Sequence, residues 1–184
     1  SDNLKSYIVS ISNDSGLFIK TLNGFLPSTL RYFIQNIYGS FFIIFGESGN
    51  DYAQLGLYGS SSYILKINTS NNSFESGAGW VHYVASWDLG NTTAHVYVNG
   101  VSDANVITSP TDETIDYTKG KWGFGASSSP GNIIQADVAQ FYFNDDEYVD
   151  LSSAANLKKF YNGGPVDLGS DGSLPTGTSP VMFI

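Results

Sequence analysis

The sequence predicts an all-β chain, an antiparallel β-sandwich or jelly roll with one short carboxyl-terminal helix. The first observation behind this is the stretch Gly79-Trp-Val-His-Tyr-Val-Ala-Ser-Trp-Asp88. Trp80, His82, Val84 and Ser86 alternate with Val81, Tyr83, Ala85 and Trp87, the period of a strand with two distinct faces. Leu89-Gly-Asn-Thr-Thr93 supplies turn formers, Ala94 to Val98 alternates again, and Asn99-Gly100 demands a turn with positive φ. One hairpin therefore spans residues 79–98, and a second opens at Asn99. The other observation is composition. Aromatic residues make up 15% of the chain, and 20 Gly stand among many Ser, Asn and Thr, which suits short strands joined by many turns.

Further strands follow the same logic in chain order. Tyr7–Ser12, Gly16–Thr21, Leu30–Gln35 and Ser40–Phe45 come first, then Tyr52–Tyr58 and Tyr63–Ile67. The polar run Asn68–Ser73 reads as a surface loop. Lys121–Ala126 and Asp137–Phe143 are the last strands before the helix. Strands at roughly 8- to 15-residue spacing with little helix argue for antiparallel sheets. A helix is predicted over Ala154–Tyr161, capped by Ser152 or Ser153, with Leu157 and Phe160 or Tyr161 on its buried face. Lys158 and Lys159 suit its carboxyl end, and Gly163 suits a left-handed stop. The remainder, 163–184, reads as an extended arm with turns. Its apolar tip, Val181-Met-Phe-Ile184, needs a surface to dock on, either its own sandwich or a neighbouring subunit. The expected organisation is a β-sandwich over 1–149 and a helix-plus-tail segment over 150–184. The chain begins at Ser1 rather than Met, so its amino end is expected to be processed, trimmed or part of a longer protein.

Charge and cysteine usage exclude several function classes. With 17 acidic against 8 basic residues, the net charge of −9 disfavours nucleic-acid binding and anionic membrane surfaces. No run approaches the roughly 20 apolar residues of a membrane span, so no membrane insertion is expected. There is no Cys, which removes disulfides, thiolate metal sites and Cys nucleophiles.

Candidate chemistry is sparse, and no enzyme is expected. Glycoside hydrolysis needs two carboxylates flanking the bond, and no strand carries acidic residues in alternation. The cluster Asn144-Asp-Asp-Glu-Tyr-Val-Asp150 reads as a solvated turn. His82 and His95 lie on the two hairpin arms and would be a proton or metal pair only if they met; no third ligand has suitable spacing. No nucleophile elbow is present, and no Ser-His-Asp set can be argued from spacing alone. Gly120–Gly125 lacks the Lys and following helix of a phosphate loop. Trp87 and Trp122 are candidate sugar platforms, yet all three Trp are expected inside strands, where Trp is mostly core. Tyr63, Tyr117 and Tyr148 are the tyrosines whose exposure would matter.

The hairpin also carries a resemblance. Trp80, His82, Trp87, Asp88, Tyr97, Val98, Asn99 and Gly100 resemble the core hairpin of laminin-G-like and pentraxin-like domains, concanavalin A-like β-sandwiches, over about Phe41 to Phe143. The resemblance implies a fold that hosts lectins, adhesion modules, glycosidases and virion proteins. It puts Trp80, His82 and Trp87 in the scaffold. It also implies a Ca²⁺ site at the sandwich rim, for which Asp137 and Asp88 are the candidate ligands, with the Asp145–Asp146 pair beside them; no other cofactor is expected. A second resemblance joins Asp150-Leu-Ser, Leu157-Lys-Lys-Phe, Gly164–Gly172 and Pro175–Pro180 to a carboxyl-terminal block of laminin-G-like phage proteins. It implies a virion protein: a capsid decoration, fibre or tail component. Such a protein would sit at the virion surface or outside the cell, assembled with other capsid or tail proteins. The alternative is an adhesion module that reads host-surface glycans.

Overall fold

The computed structural model describes residues 16–21, 31–36, 41–47, 50–59, 61–70, 80–115, 122–124, 140–144 and 147–184. In chain order the strands are β1 (Gly16–Thr21), β2 (Arg31–Asn36), β3 (Phe41–Glu47), β4 (Asn50–Tyr58), β5 (Tyr63–Asn68), β6 (Val81–Asp88), β7 (Thr93–Val98), β8 (Val101–Ser102), β9 (Asn105–Thr108), β10 (Trp122–Phe124), β11 (Tyr142–Asn144) and β12 (Met182–Phe183). Among the described residues one helix, α1 (Ala154–Leu157), lies between β11 and β12. The all-β antiparallel class predicted from alternation is what forms. Among the described residues no helix is long and apolar enough to cross a membrane. The predicted strand Tyr7–Ser12 lies outside the described residues.

The chain divides into two compact units, each described by itself. One comprises residues 1–23, 79–103 and 136–184; the other comprises 24–78 and 104–135. The first holds the sheet ordered β12-β11-β1-β6-β7-β8. Its centre is the β6–β7 hairpin, registered Asp88↔Thr93 through Tyr83↔Val98. The turn at 89–92 is closed by Thr92 N–H donating to the Leu89 carbonyl at 3.1 Å, with Thr92 at φ 55°. Asn99 and Gly100 have φ of 50° and 77°, the positive pair that a type I′ turn requires. The second hairpin thus opens where expected, and β8 pairs back on β7.

The second unit holds the sheet ordered β10-β2-β3-β4-β5-β9. Ala53, Leu55 and Leu57 of β4 and Ile64, Leu65 and Ile67 of β5 are buried. Buried Gln54 donates its side-chain amide to Asn68 Oδ1 at 2.9 Å, so the polar group costs little in the interior. Strand β9 had no counterpart in the sequence reading. Its residues are exposed or half-buried, so they carry no alternation to read.

The carboxyl-terminal segment departs from expectation in its helix. Only Ala154–Leu157 is α-helical, and none of those residues is buried. Ser153 at the N-cap makes no side-chain cap bond, and the Ser152 hydroxyl donates instead to Asp150 Oδ1 at 2.6 Å. Beyond Leu157 the chain tightens: Lys159 N–H bonds Asn156 and Phe160 N–H bonds Leu157, three-residue spacings that end the helix. The reason is tertiary. Phe160 is driven wholly into the interior, and Tyr161 bridges to Pro165, so the predicted last turn is spent on anchoring. Gly163, at φ 73°, is left-handed as predicted.

The apolar tip docks on its own unit. Met182 and Phe183 pair with Phe143 and Tyr142, and Phe141 and Ile184 exchange backbone bonds at 2.8 and 3.0 Å. The preceding turn is held by Asp171, which accepts from Ser173 N–H at 3.0 Å and from the Ser179 hydroxyl at 3.0 Å. Gly172 at φ 75° packs on Pro180 and Phe183, where a Cβ would come within 2.9 Å of Pro180. Only glycine fits that turn.

Candidate functional site

The β6–β7 hairpin has two faces of different character. One carries Val81, Tyr83, Ala85, Trp87, Val96 and Val98, all buried and mostly apolar. The other carries His82, Val84, Ser86 and Asp88 from β6 with Thr93, His95 and Tyr97 from β7, as the register dictates. Tyr142 of β11 and Val84 both register against Phe18, so Tyr142 shares this polar face. A half-buried strand would leave such a face to solvent, yet all eight residues of β6 are buried.

Residues 148–176 contribute contacts to this face. The Thr93 hydroxyl donates to Tyr148 Oη at 3.4 Å, and His95 Nε2 lies 3.5 Å from Asp150 Oδ1. The Tyr142 ring meets Phe160 edge-on with centroids 5.7 Å apart. His82 and Tyr161 have ring centroids 4.8 Å apart, and Tyr142 Oη sits 3.5 Å from Thr176 Oγ1. Five contacts from one continuous segment thus run across the face from the β7 end to β11. Tyr161 also lies beneath the Asn99–Gly100 turn, where a Cβ at Gly100 would come within 2.5 Å of its ring.

Electrostatics follow from this cover. Burial raises the Tyr148 pKa; the Thr93 bond opposes the rise, while Asp150 and Asp88 add to it. Asp150 is lowered, chiefly by the Ser152 hydroxyl. Tyr142 is raised by burial; on the hairpin's other face, independently of this cover, Tyr83 is raised by its complete burial and by Asp103 nearby.

The cover brings together three residues that spacing alone did not connect. Ser86 stands opposite His95 in the register, and His95 faces Asp150. Catalysis at a serine needs a base within hydrogen-bond reach and an open approach for substrate. No described residue hydrogen-bonds Ser86 Oγ, and Ser86 is 0% exposed. The set is packing, not a charge-relay site. The cross-strand pair was implicit in the hairpin register; Asp150, more than 50 residues on, carried no local signal.

The other sequence candidates fall as follows. His82 and His95 share a face but do not meet, since His82 stands opposite Asn99 and His95 opposite Ser86. His82 N–H donates to Asn99 Oδ1 at 2.8 Å, tying the strand end to its turn. Trp87 is 0% exposed and is scaffold, as expected. Trp80 corrects the reading: it precedes β6 rather than lying within a strand, and it is 44% exposed. Trp122 opens β10. Asp137, Asp145, Asp146 and Tyr117 lie outside the described residues. Asp88 accepts from Asn91 N–H on Oδ1 at 2.8 Å and from Asn91 Nδ2 on Oδ2 at 2.6 Å. Both of its oxygens therefore shape the 89–92 turn. Among the described residues no group of three His, Asp or Glu could hold a metal ion. In the second unit, Tyr58 and Tyr63 meet edge-on at 5.1 Å, Lys66 Nζ lies 5.1 Å from the Tyr63 ring centre, and Tyr58 Oη donates to the Ser61 carbonyl at 2.9 Å. Tyr63, one of the tyrosines singled out by sequence, is thus half-buried; its pairing with Tyr58 at the β4–β5 tip was not foreseen.

A family model described as the Concanavalin A-like lectin/glucanases superfamily, of laminin-G type, matches residues 25–150. The chain belongs to this family. Its fold class is accordingly the concanavalin A-like antiparallel β-sandwich, the class predicted from alternation and turn spacing. No curated protein and no solved structure gives a significant match. Within this laminin-G-type chain, residues 151–184 fall beyond the matched segment yet supply most of the cover on the polar face. Membership is compatible with carbohydrate binding or with a structural role, and the superfamily includes glucanases.

Proposed function

We propose that this chain is a non-enzymatic structural protein of a phage particle, a capsid decoration, fibre or tail component that works by protein–protein docking. The observation that carries the reading is the carboxyl-terminal block. Its residues resemble those of phage virion proteins, and it occupies the polar face of its own sheet through Tyr148, Asp150, Phe160, Tyr161 and Thr176. A ligand would have to displace that cover, which leaves sheet edges as the natural contact surfaces. Val101 on edge strand β8 is 68% exposed, and Val106 and Ile107 on edge strand β9 are also exposed. Apolar side chains on an open edge favour pairing with another chain. Partners would be other capsid or tail proteins, with the chain assembled at the virion surface. Mass spectrometry of purified particles from the encoding genome should find the chain at structural stoichiometry. Its absence from the particles would sink the reading.

A second reading, an adhesion module for host-surface glycans, is favoured by the Tyr58–Tyr63 cluster and by half-exposed Trp80. A glycan array with and without Ca²⁺ tests it, with Asp88 and Asp137 as the carboxylates of a rim site. Binding that Tyr63→Ala abolishes would establish this reading; no binding under either condition would remove it.

A further inference from the structure

The chain contains three Asn-Gly pairs; Asn23–Gly24 lies outside the described residues, and the fold treats the other two, Asn99–Gly100 and Asn162–Gly163, differently. Both asparagines are exposed, so exposure does not separate them. At Asn99, Oδ1 accepts the His82 N–H at 2.8 Å and the Asn99 N–H donates to the His82 carbonyl at 2.8 Å. The Asn99 carboxamide cannot swing onto the Gly100 nitrogen without breaking the first bond, and Gly100 is backed by the Tyr161 ring. At Asn162, no described residue hydrogen-bonds the carboxamide, and the space beside Gly163 is open, with nothing within 4 Å of a Cβ placed there.

We propose that Asn162 is a site of spontaneous deamidation, and that the hairpin protects Asn99 from the same reaction. Asparagine is thermolabile, and a following glycine leaves its own nitrogen unshielded by a Cβ. The Gly163 nitrogen, deprotonated by hydroxide, bonds to Asn162 Cγ. The Cγ–Nδ2 bond breaks, and ammonia leaves with a proton taken from water. The resulting succinimide adds one water and opens to Asp or isoAsp at position 162. No oxidant or cofactor is required. The position has a structural consequence. Asn162 N–H donates to the Gly164 carbonyl inside the Tyr161–Pro165 bridge, the turn that sets Tyr161 against His82. An isoAsp there lengthens the backbone by one methylene and adds a negative charge beside the cover.

Peptide mapping by mass spectrometry tests this on the intact chain incubated at mildly alkaline pH, with and without denaturant. In the folded protein, Asn162 is expected to convert about five- to tenfold faster than Asn99, the scale set by one protecting hydrogen bond. In denaturant the two rates should converge, because both sites are Asn-Gly. Equal rates in the folded state would overturn the proposal. So would a difference that persists in denaturant, because local sequence and not the fold would then be its source.

Discussion

The two faces of the β6–β7 hairpin are built by different means. The face of Tyr83, Trp87, Val96 and Val98 is buried by its own apolarity. The face of His82, Ser86, Asp88 and His95 is polar, and a segment arriving from the end of the chain meets it at His82 and His95. Residue type is enough to find a buried face of the first kind. A face of the second kind is found only by knowing what returns to cover it.

The largest expected effect lies at the anchor of the cover. Phe160→Ala removes a wholly buried ring that packs on Tyr142 and should cost about 3–5 kcal/mol in chemical denaturation. A cost below about 1 kcal/mol would mean that the block only rests on the sheet. Next comes Gly100→Ala, which forces a Cβ at φ 77° into the Tyr161 ring. A loss of about 1–3 kcal/mol is expected, with backbone strain and displaced Tyr161 both contributing. Asp88→Ala, at the same hairpin's other end, strips two bonds from Asn91 and should cost about 1–2 kcal/mol. If added Ca²⁺ stabilised the wild type but not this variant, Asp88 would be a ligand as well as a turn residue.

The smallest effect concerns pH. The pKa of Asp150 is lowered in the folded state, first by the Ser152 hydroxyl. Its contribution to stability is therefore complete above the ordinary carboxylate range and is lost as pH falls through the lowered value. Because the carboxylate is largely exposed, the effect on stability should be slight. Ser152→Ala should move the Asp150 titration, followed by NMR, upward toward its ordinary position. An unmoved titration would show that the Ser152 bond does not form in solution.

Much of the fold was legible in the sequence. Alternation located Trp87 and Tyr83, and Asn99-Gly100 announced the second hairpin, because periodicity and turn chemistry are local. The cover was not legible. Thr93 and Tyr148 are 55 residues apart, and the partners of His95 and His82 lie on an irregular segment with no period to read. The helix over 154–161 was over-extended because spacing suggested Leu157 and Phe160 on one helical face. The burial of Phe160 ended the helix early. Trp80 was placed in the scaffold by its neighbours' alternation, but the strand begins one residue later and leaves it half exposed.

The central claim is that the carboxyl-terminal block covers the polar face of its own molecule. Isotope-filtered NOE spectroscopy on a mixture of labelled and unlabelled chains, unfolded and refolded together, tests it through the His82 and Tyr161 rings. Cross-peaks confined to single molecules are expected. Cross-peaks between labelled and unlabelled chains, or none between these rings, would contradict the account.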